Sequence, residues 1–133
     1  MTIQVLVVDD EEDVETLFRQ QFRREVRQGL YTLDFALSGK QALEKLDSRT
    51  GEEIILLVSD INMPGMTGLQ LLPIVKERRP KLPVFMISAY GDTQTINHAL
   101  EHGASKFMPK PVDFAQLKRD VAAVIAGGGV EAP

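Results

Sequence analysis

Ile3-Gln4-Val5-Leu6-Val7-Val8 is a nearly unbroken apolar run, short and rich in β-branched residues, which predicts a strand buried on both faces. It stops at Asp9-Asp10-Glu11-Glu12-Asp13, acids suited to the first turn of a helix. Val14, Leu17, Phe18, Phe22 and Val26 then follow at helical spacing until Gly29 ends that helix. Residues 31–37 alternate and predict a second, more exposed strand, after which Ser38 and Gln41 resemble a capping box opening a short helix with Ala42, Leu43 and Leu46 inward. Residues 47–53 read as a loop around Gly51, and residues 54–58 are the most apolar run, a central strand that stops at Asp60. Residues 62–68 carry loop chemistry, followed by a helix with Leu69, Leu72 and Val75 buried. Pro73 within that pattern either kinks the helix or shifts its start.

Residues 83–87 form a fourth predicted strand ending at Ser88, and residues 92–102 a helix stopped by Gly103, with a thin apolar face of Ile96, Ala99 and Leu100. Lys106-Phe107-Met108 is a short fifth strand, and Pro109 places it at a sheet edge. Phe114, Leu117, Val121, Val124 and Ile125 define the last helix, before Gly127-Gly128-Gly129 opens a flexible tail. Five strands alternating with five helices predict an α/β fold, a mostly parallel sheet with helices on both faces.

Composition narrows the function. At 133 residues, 44% hydrophobic and 26% charged, the chain reads as one soluble globular domain. A net charge of −4, with a pI near 5.2, makes direct nucleic-acid binding a poor expectation. The absence of cysteine excludes disulfides, thiolate-bound metals and thiol catalysis. No run reaches membrane-span length and the N-terminus has no signal-peptide layout, so the expected setting is cytoplasmic.

Asp9 and Asp10, Asp60, Ser88 and Lys110 all stand at or just past predicted strand ends. In open α/β sheets that is where ligands bind, at the point where strand order reverses. If the first and third strands are neighbours, Asp9, Asp10 and Asp60 share one pocket, where like charges about 4 Å apart repel by roughly 4 kcal/mol at an effective dielectric near 20. Such a cluster holds protons or binds a cation, and its oxygen-only donors suit Mg²⁺ or Mn²⁺. With a lysine opposite, an aspartate is arranged for phosphoryl transfer. Residue by residue, the alternative is that Asp9 and Asp10 cap a helix and Asp60 begins a turn.

Four stretches together resemble the receiver domain of two-component response regulators (CheY-like): Val7-Val8-Asp9-Asp10-Glu11, Ser59-Asp60-Ile61-Asn62-Met63-Pro64-Gly65-Met66-Thr67-Gly68, Ile87-Ser88-Ala89-Tyr90-Gly91-Asp92, and Gly103-Ala104-Ser105-Lys106-Phe107-Met108-Pro109-Lys110-Pro111. The resemblance implies a flavodoxin-like, doubly wound sheet of order 2-1-3-4-5. It implies a receiver domain over residues 1–126, with 127–133 a tail or the start of a linker. Asp60 would accept a phosphoryl group from a histidine kinase or histidine phosphotransfer protein. Asp10, Asp60 and the Asn62 carbonyl would ligate Mg²⁺, with Asp9 acting largely through water. Lys110, Ser88 and the Ala89 amide would hold the phosphoryl group, and Ser88 and Phe107 would form the switch. Asn62 and Tyr90 match positions that tune self-dephosphorylation, and Lys110–Pro111 matches a bond that is usually cis. Signalling to an output domain or target, or homodimer formation, would use the face of the fourth helix, fifth strand and fifth helix, with Lys106, Lys118, Arg119 and Asp120 as contacts.

Three rivals are weighed against this. His98-Ala99-Leu100-Glu101-His102 formally matches an inverted zinc-protease pattern, though little chain remains to supply a third ligand. An aspartyl-phosphate phosphatase would usually carry a second acid where Asn62 stands, and a cap domain besides. A degenerate, unphosphorylated module would not need Asp9, Asp10, Asp60, Ser88 and Lys110 all intact.

Overall fold

The computed structural model describes residues 3–48, 51–89 and 91–127. Five parallel strands, β1 (Gln4–Val8), β2 (Thr32–Ala36), β3 (Ile54–Asp60), β4 (Val84–Ser88) and β5 (Lys106–Pro109), lie in the order β2-β1-β3-β4-β5. This is the flavodoxin-like order that the resemblance implied. The helices among the described residues are α1 (Glu12–Gln21), α2 (Arg23–Arg27), α3 (Gly39–Leu46), α4 (Gly68–Arg78), α5 (Thr93–Glu101) and α6 (Phe114–Ile125).

Side-chain alternation along β1 explains the layers. Leu6 and Val8 face one core with Leu57, Val84 and Met86, closed by Ala42 and Leu46 of α3, Leu71, Leu72 and Val75 of α4, and Ala99 of α5. Val5 and Val7 face the other with Leu56, Val58, Phe85 and Ile87, closed by Phe18 of α1 and Leu117 and Val121 of α6. In that second layer Phe18 stacks on Phe22 with ring centroids 5.8 Å apart and meets Phe114 edge-on at 5.2 Å.

The expected first helix is two pieces. Phe22, at φ −102° and ψ 11°, leaves helical geometry where its buried ring seats among Phe18, Tyr31 and Phe114. Leu17 and Val26 keep the helical spacing but are 43% and 38% exposed. Pro73 lies inside α4, which starts at Gly68, so the start is not displaced to the proline. The expected loop over 47–53 contains a 3₁₀ turn, Gly51–Glu53. Ser38 Oγ does accept the Gln41 amide, but Gln41 reaches back to the amide of Leu37. The complete capping box stands instead at Thr67 and Gln70, opening α4.

Register aligns the strand ends. Val8 lies opposite Ser59, Asp60 opposite Ile87, and Ser88 opposite Pro109. The residues that follow or end these strands therefore share the carboxyl edge of the sheet.

Candidate functional site

β1 delivers Asp9 and Asp10, β3 delivers Asp60, and one oxygen from each lies within 4.8 Å of the others. Asp9 and Asp60 are buried and Asp10 is more open. The Glu11 amide donates to Asp9 Oδ1 at 3.0 Å, turning the chain from β1 into α1. Lys110 Nζ lies 3.1 Å from Asp60 Oδ1 and 4.0 Å from Asp9 Oδ2. The approach to Asp60 is an ion-pair contact off hydrogen-bond direction, so the buried Oδ1 has no directed donor among the described residues.

The electrostatics follow from burial and crowding. Desolvation raises the Asp9 carboxyl from 3.8 to about 6; Asp60's charge adds to this, while the Glu11 amide and Lys110 oppose it. Desolvation also raises Asp60, against the pull of Lys110. For Lys110 burial works against the charged form, but Asp60 and Asp9 outweigh it and its pKa is raised. Three converging carboxylates, one with an oxygen lacking a directed donor, fit a hard divalent cation.

On the far side, Asn62 Nδ2 donates to Ser88 Oγ at 3.1 Å, and the Lys110 amide donates to the Ser88 carbonyl at 3.0 Å. Ser88 is fully buried, Ala89 beside it is exposed, and the Lys110–Pro111 peptide is cis. Phe107 is half-buried against the α3–α4–α5 core layer. Tyr90 lies outside the described residues, as do 128–133 of the expected tail.

Gly68 was not singled out from sequence as a site residue, yet a Cβ there would lie 2.4 Å from the Asp60 carbonyl oxygen. The amide of Gly68 donates to the Ile61 carbonyl at 2.8 Å, folding the β3–α4 loop onto Asp60. Pairwise close approach of backbone leaves no periodic trace in a sequence. Leu17, in α1 as its spacing predicts, lines with Asp9, Glu11, Phe18 and Pro111 a cavity of about 500 Å³ beside the carboxylates. Lys106 and Asp120 pair at 2.8 Å on the β5–α6 face. Lys118 does not belong there, because its Nζ lies 3.3 Å from Glu25 and over the Phe22 ring, on the other side of α6.

Residues 5–122 match the response regulator receiver domain family. The chain belongs to that family. This receiver domain is 35% identical over 120 residues to the response regulator protein PilR of Pseudomonas aeruginosa, covering 90% of this chain and 25% of the relative. It is 38% identical over 110 residues to the DNA-binding transcriptional regulator NtrC of Escherichia coli, covering 83% of this chain and 22% of that protein. The receiver thus spans about a quarter of the length of these relatives. Among solved structures, a chain of the CheX–CheY–BeF₃–Mg²⁺ complex from Borrelia burgdorferi matches at TM-score 0.80 and 33% identity, over 92% of this chain and 88% of the other. The signal receiver domain of an HD domain-containing protein from Pseudomonas fluorescens Pf-5 matches at 0.82 and 26%, over 96% and 97%. At family level the receiver domain is the signalling domain of a two-component phosphorelay, and receivers bind Mg²⁺ at an acidic pocket such as this one. No helix of the described residues is long and apolar enough to cross a membrane.

Proposed function

We propose that Asp60 is the phosphoacceptor of this receiver, taking a phosphoryl group from a phosphohistidine on a histidine kinase or histidine phosphotransfer protein. The observation that carries the reading is the position of Asp60 itself. It is buried at the end of β3, between two further carboxylates and an ammonium 3.1 Å away. An Asp60 carboxylate oxygen attacks phosphorus in line, an O–P bond forms, the donor's N–P bond breaks, and the imidazole leaves with the electron pair. Lys110 balances charge on the transferred oxygens. Asp10, Asp60 and the Asn62 carbonyl would hold Mg²⁺, with Mn²⁺ as a substitute and Asp9 contributing largely through water. When bound, that ion neutralises the carboxylates and the phosphoryl oxygens.

Ser88 then turns from Asn62 toward the phosphoryl group, the Ala89 amide contacts it, and Phe107 repacks against the core. This is a population shift, because the phosphoryl group binds the rearranged state more strongly. Asn62 and Tyr90 tune the lifetime. The cavity beside the carboxylates, with exposed Leu17 at its wall, supports entry of the donor's histidine-bearing helix from the α1 side. The α5–β5–α6 face carries the signal to an output domain or target, or to a second copy. Residues 1–126 act as the receiver unit in a cytoplasmic setting.

The test is intact-mass spectrometry after incubation with acetyl phosphate and Mg²⁺, beside an Asp60→Asn control. A labile, metal-dependent gain of one phosphoryl group in the wild type alone is expected. Gain in both proteins means another nucleophile, and gain in neither, with a phosphohistidine donor also failing, means a degenerate module.

A further inference from the structure

The two histidines of the chain, His98 and His102, are one turn apart on α5 and its C-cap. Residues four apart share a helix face, and both side chains here are exposed. Their rings lie nearly parallel, with centroids 4.2 Å apart and an interplanar angle of 18°. His102 Nδ1 lies 2.8 Å from the backbone oxygen of His98. A carbonyl oxygen only accepts, so that hydrogen bond assigns the proton to Nδ1 and leaves the lone pair of His102 on Nε2. An imidazole whose back nitrogen is anchored on a carbonyl has the tautomer and ring orientation that metal-bound histidines take.

We propose that His98 and His102 form a bidentate site for a divalent transition metal of the Zn²⁺, Ni²⁺ or Cu²⁺ class on the outer face of α5. Metal–nitrogen bonds of about 2.0–2.1 Å place two ligating nitrogens roughly 3 Å apart. The ring centroids stand 4.2 Å apart on one helix face, so with His102 anchored through Nδ1 it is the exposed His98 ring that has to turn out of the stack for both nitrogens to meet one ion. Imidazole selects these metals over Mg²⁺, which stays with the oxygen donors of Asp9, Asp10 and Asp60. The chain therefore carries two sites of different chemistry, and the second does not depend on the first. Its consequence is local. α5 buries only Ala99, so a metal clamp across its last turn holds a helix that packing alone holds weakly.

The experiment uses untagged full chain, stripped of metal and returned to excess Mg²⁺ so that the carboxylate site is filled. Ni²⁺ is titrated calorimetrically into the wild type, His98→Gln, His102→Gln and Asp60→Asn, and hydrogen exchange follows the α5 amides. One Ni²⁺ per wild-type chain is expected, with affinity reduced at least about fivefold in each histidine variant and unchanged in Asp60→Asn, since the second ligand binds intramolecularly. Slower exchange in α5 should appear with Ni²⁺ and vanish in either histidine variant. No binding, a loss under about fivefold in either histidine variant, or loss in Asp60→Asn overturns the site. So does α5 protection that does not respond to Ni²⁺, which would leave the pair as a helix cap.

Discussion

Asp9→Asn should stabilise the metal-free protein. Asp9 is 8% exposed and its carboxyl is raised from 3.8 to about 6, first by burial and then by Asp60. At about 1.36 kcal/mol per pKa unit, ionising it costs the fold about 3 kcal/mol at neutral pH. The amide keeps an oxygen for the Glu11 N–H that now donates at 3.0 Å, so the turn into α1 survives. The sign follows from which state holds the proton more tightly. The folded protein does, so the stability Asp9 contributes is full below the unfolded value of 3.8 and is lost as pH rises through about 6. Asparagine escapes that loss. Thermal unfolding in chelator should show the variant ahead by on the order of 10 °C at about pH 8, with the gap closing toward pH 4. Adding Mg²⁺ should then stabilise the wild type more than the variant, because binding to the native state adds stability by mass action. A gap of the same size at both pH values, or none at about pH 8, would refute the account in which burial, with Asp60 adding to it, penalises the Asp9 charge.

Other substitutions test other contacts. Gly68→Ala should destabilise by about 1–3 kcal/mol in chemical denaturation and slow phosphorylation, since its Cβ meets the Asp60 carbonyl oxygen at 2.4 Å. Lys110→Ala should keep Mg²⁺ binding, followed by calorimetry, yet lose the phosphorylation-dependent change in hydrogen exchange around Ser88 and Phe107. Leu17→Asp should slow transfer from a phosphohistidine donor about tenfold or more while leaving acetyl phosphate labelling near wild type, because it alters the cavity wall and not the carboxylates. Equal slowing with both donors would move Leu17 into the chemistry.

The sheet and the carboxylate cluster were legible because both have local signatures. Ile3 to Val8 and the run over 54–58 are apolar enough to be central strands, and each ends in the acid that the register later aligns. What escaped were features set by three-dimensional proximity. The break at Phe22 reflects where a ring seats among aromatics from other elements, which helical spacing does not encode. Leu17 keeps the helical period yet faces a cavity beside the Asp9 cluster. Gly68 is the first residue of α4, where only the folded backbone reveals its approach to the Asp60 carbonyl, whereas the Thr67–Gln70 box is a T-x-x-Q pattern present in the sequence itself. Lys118 shares a charged segment with Lys106's partner Asp120, but two residues along a helix turn a side chain to the opposite face.

The central claim, that Asp60 carries the phosphoryl group, is tested most directly by reductive trapping. Borohydride reduces an acyl phosphate to an alcohol, so protein labelled with acetyl phosphate and Mg²⁺ is reduced, digested and mapped by peptide mass spectrometry. The account predicts reduction of Asp60 alone, only with phosphodonor and metal both present. Reduction at Asp9 or Asp10, or a labelled protein whose Asp60 peptide is unchanged, would contradict it.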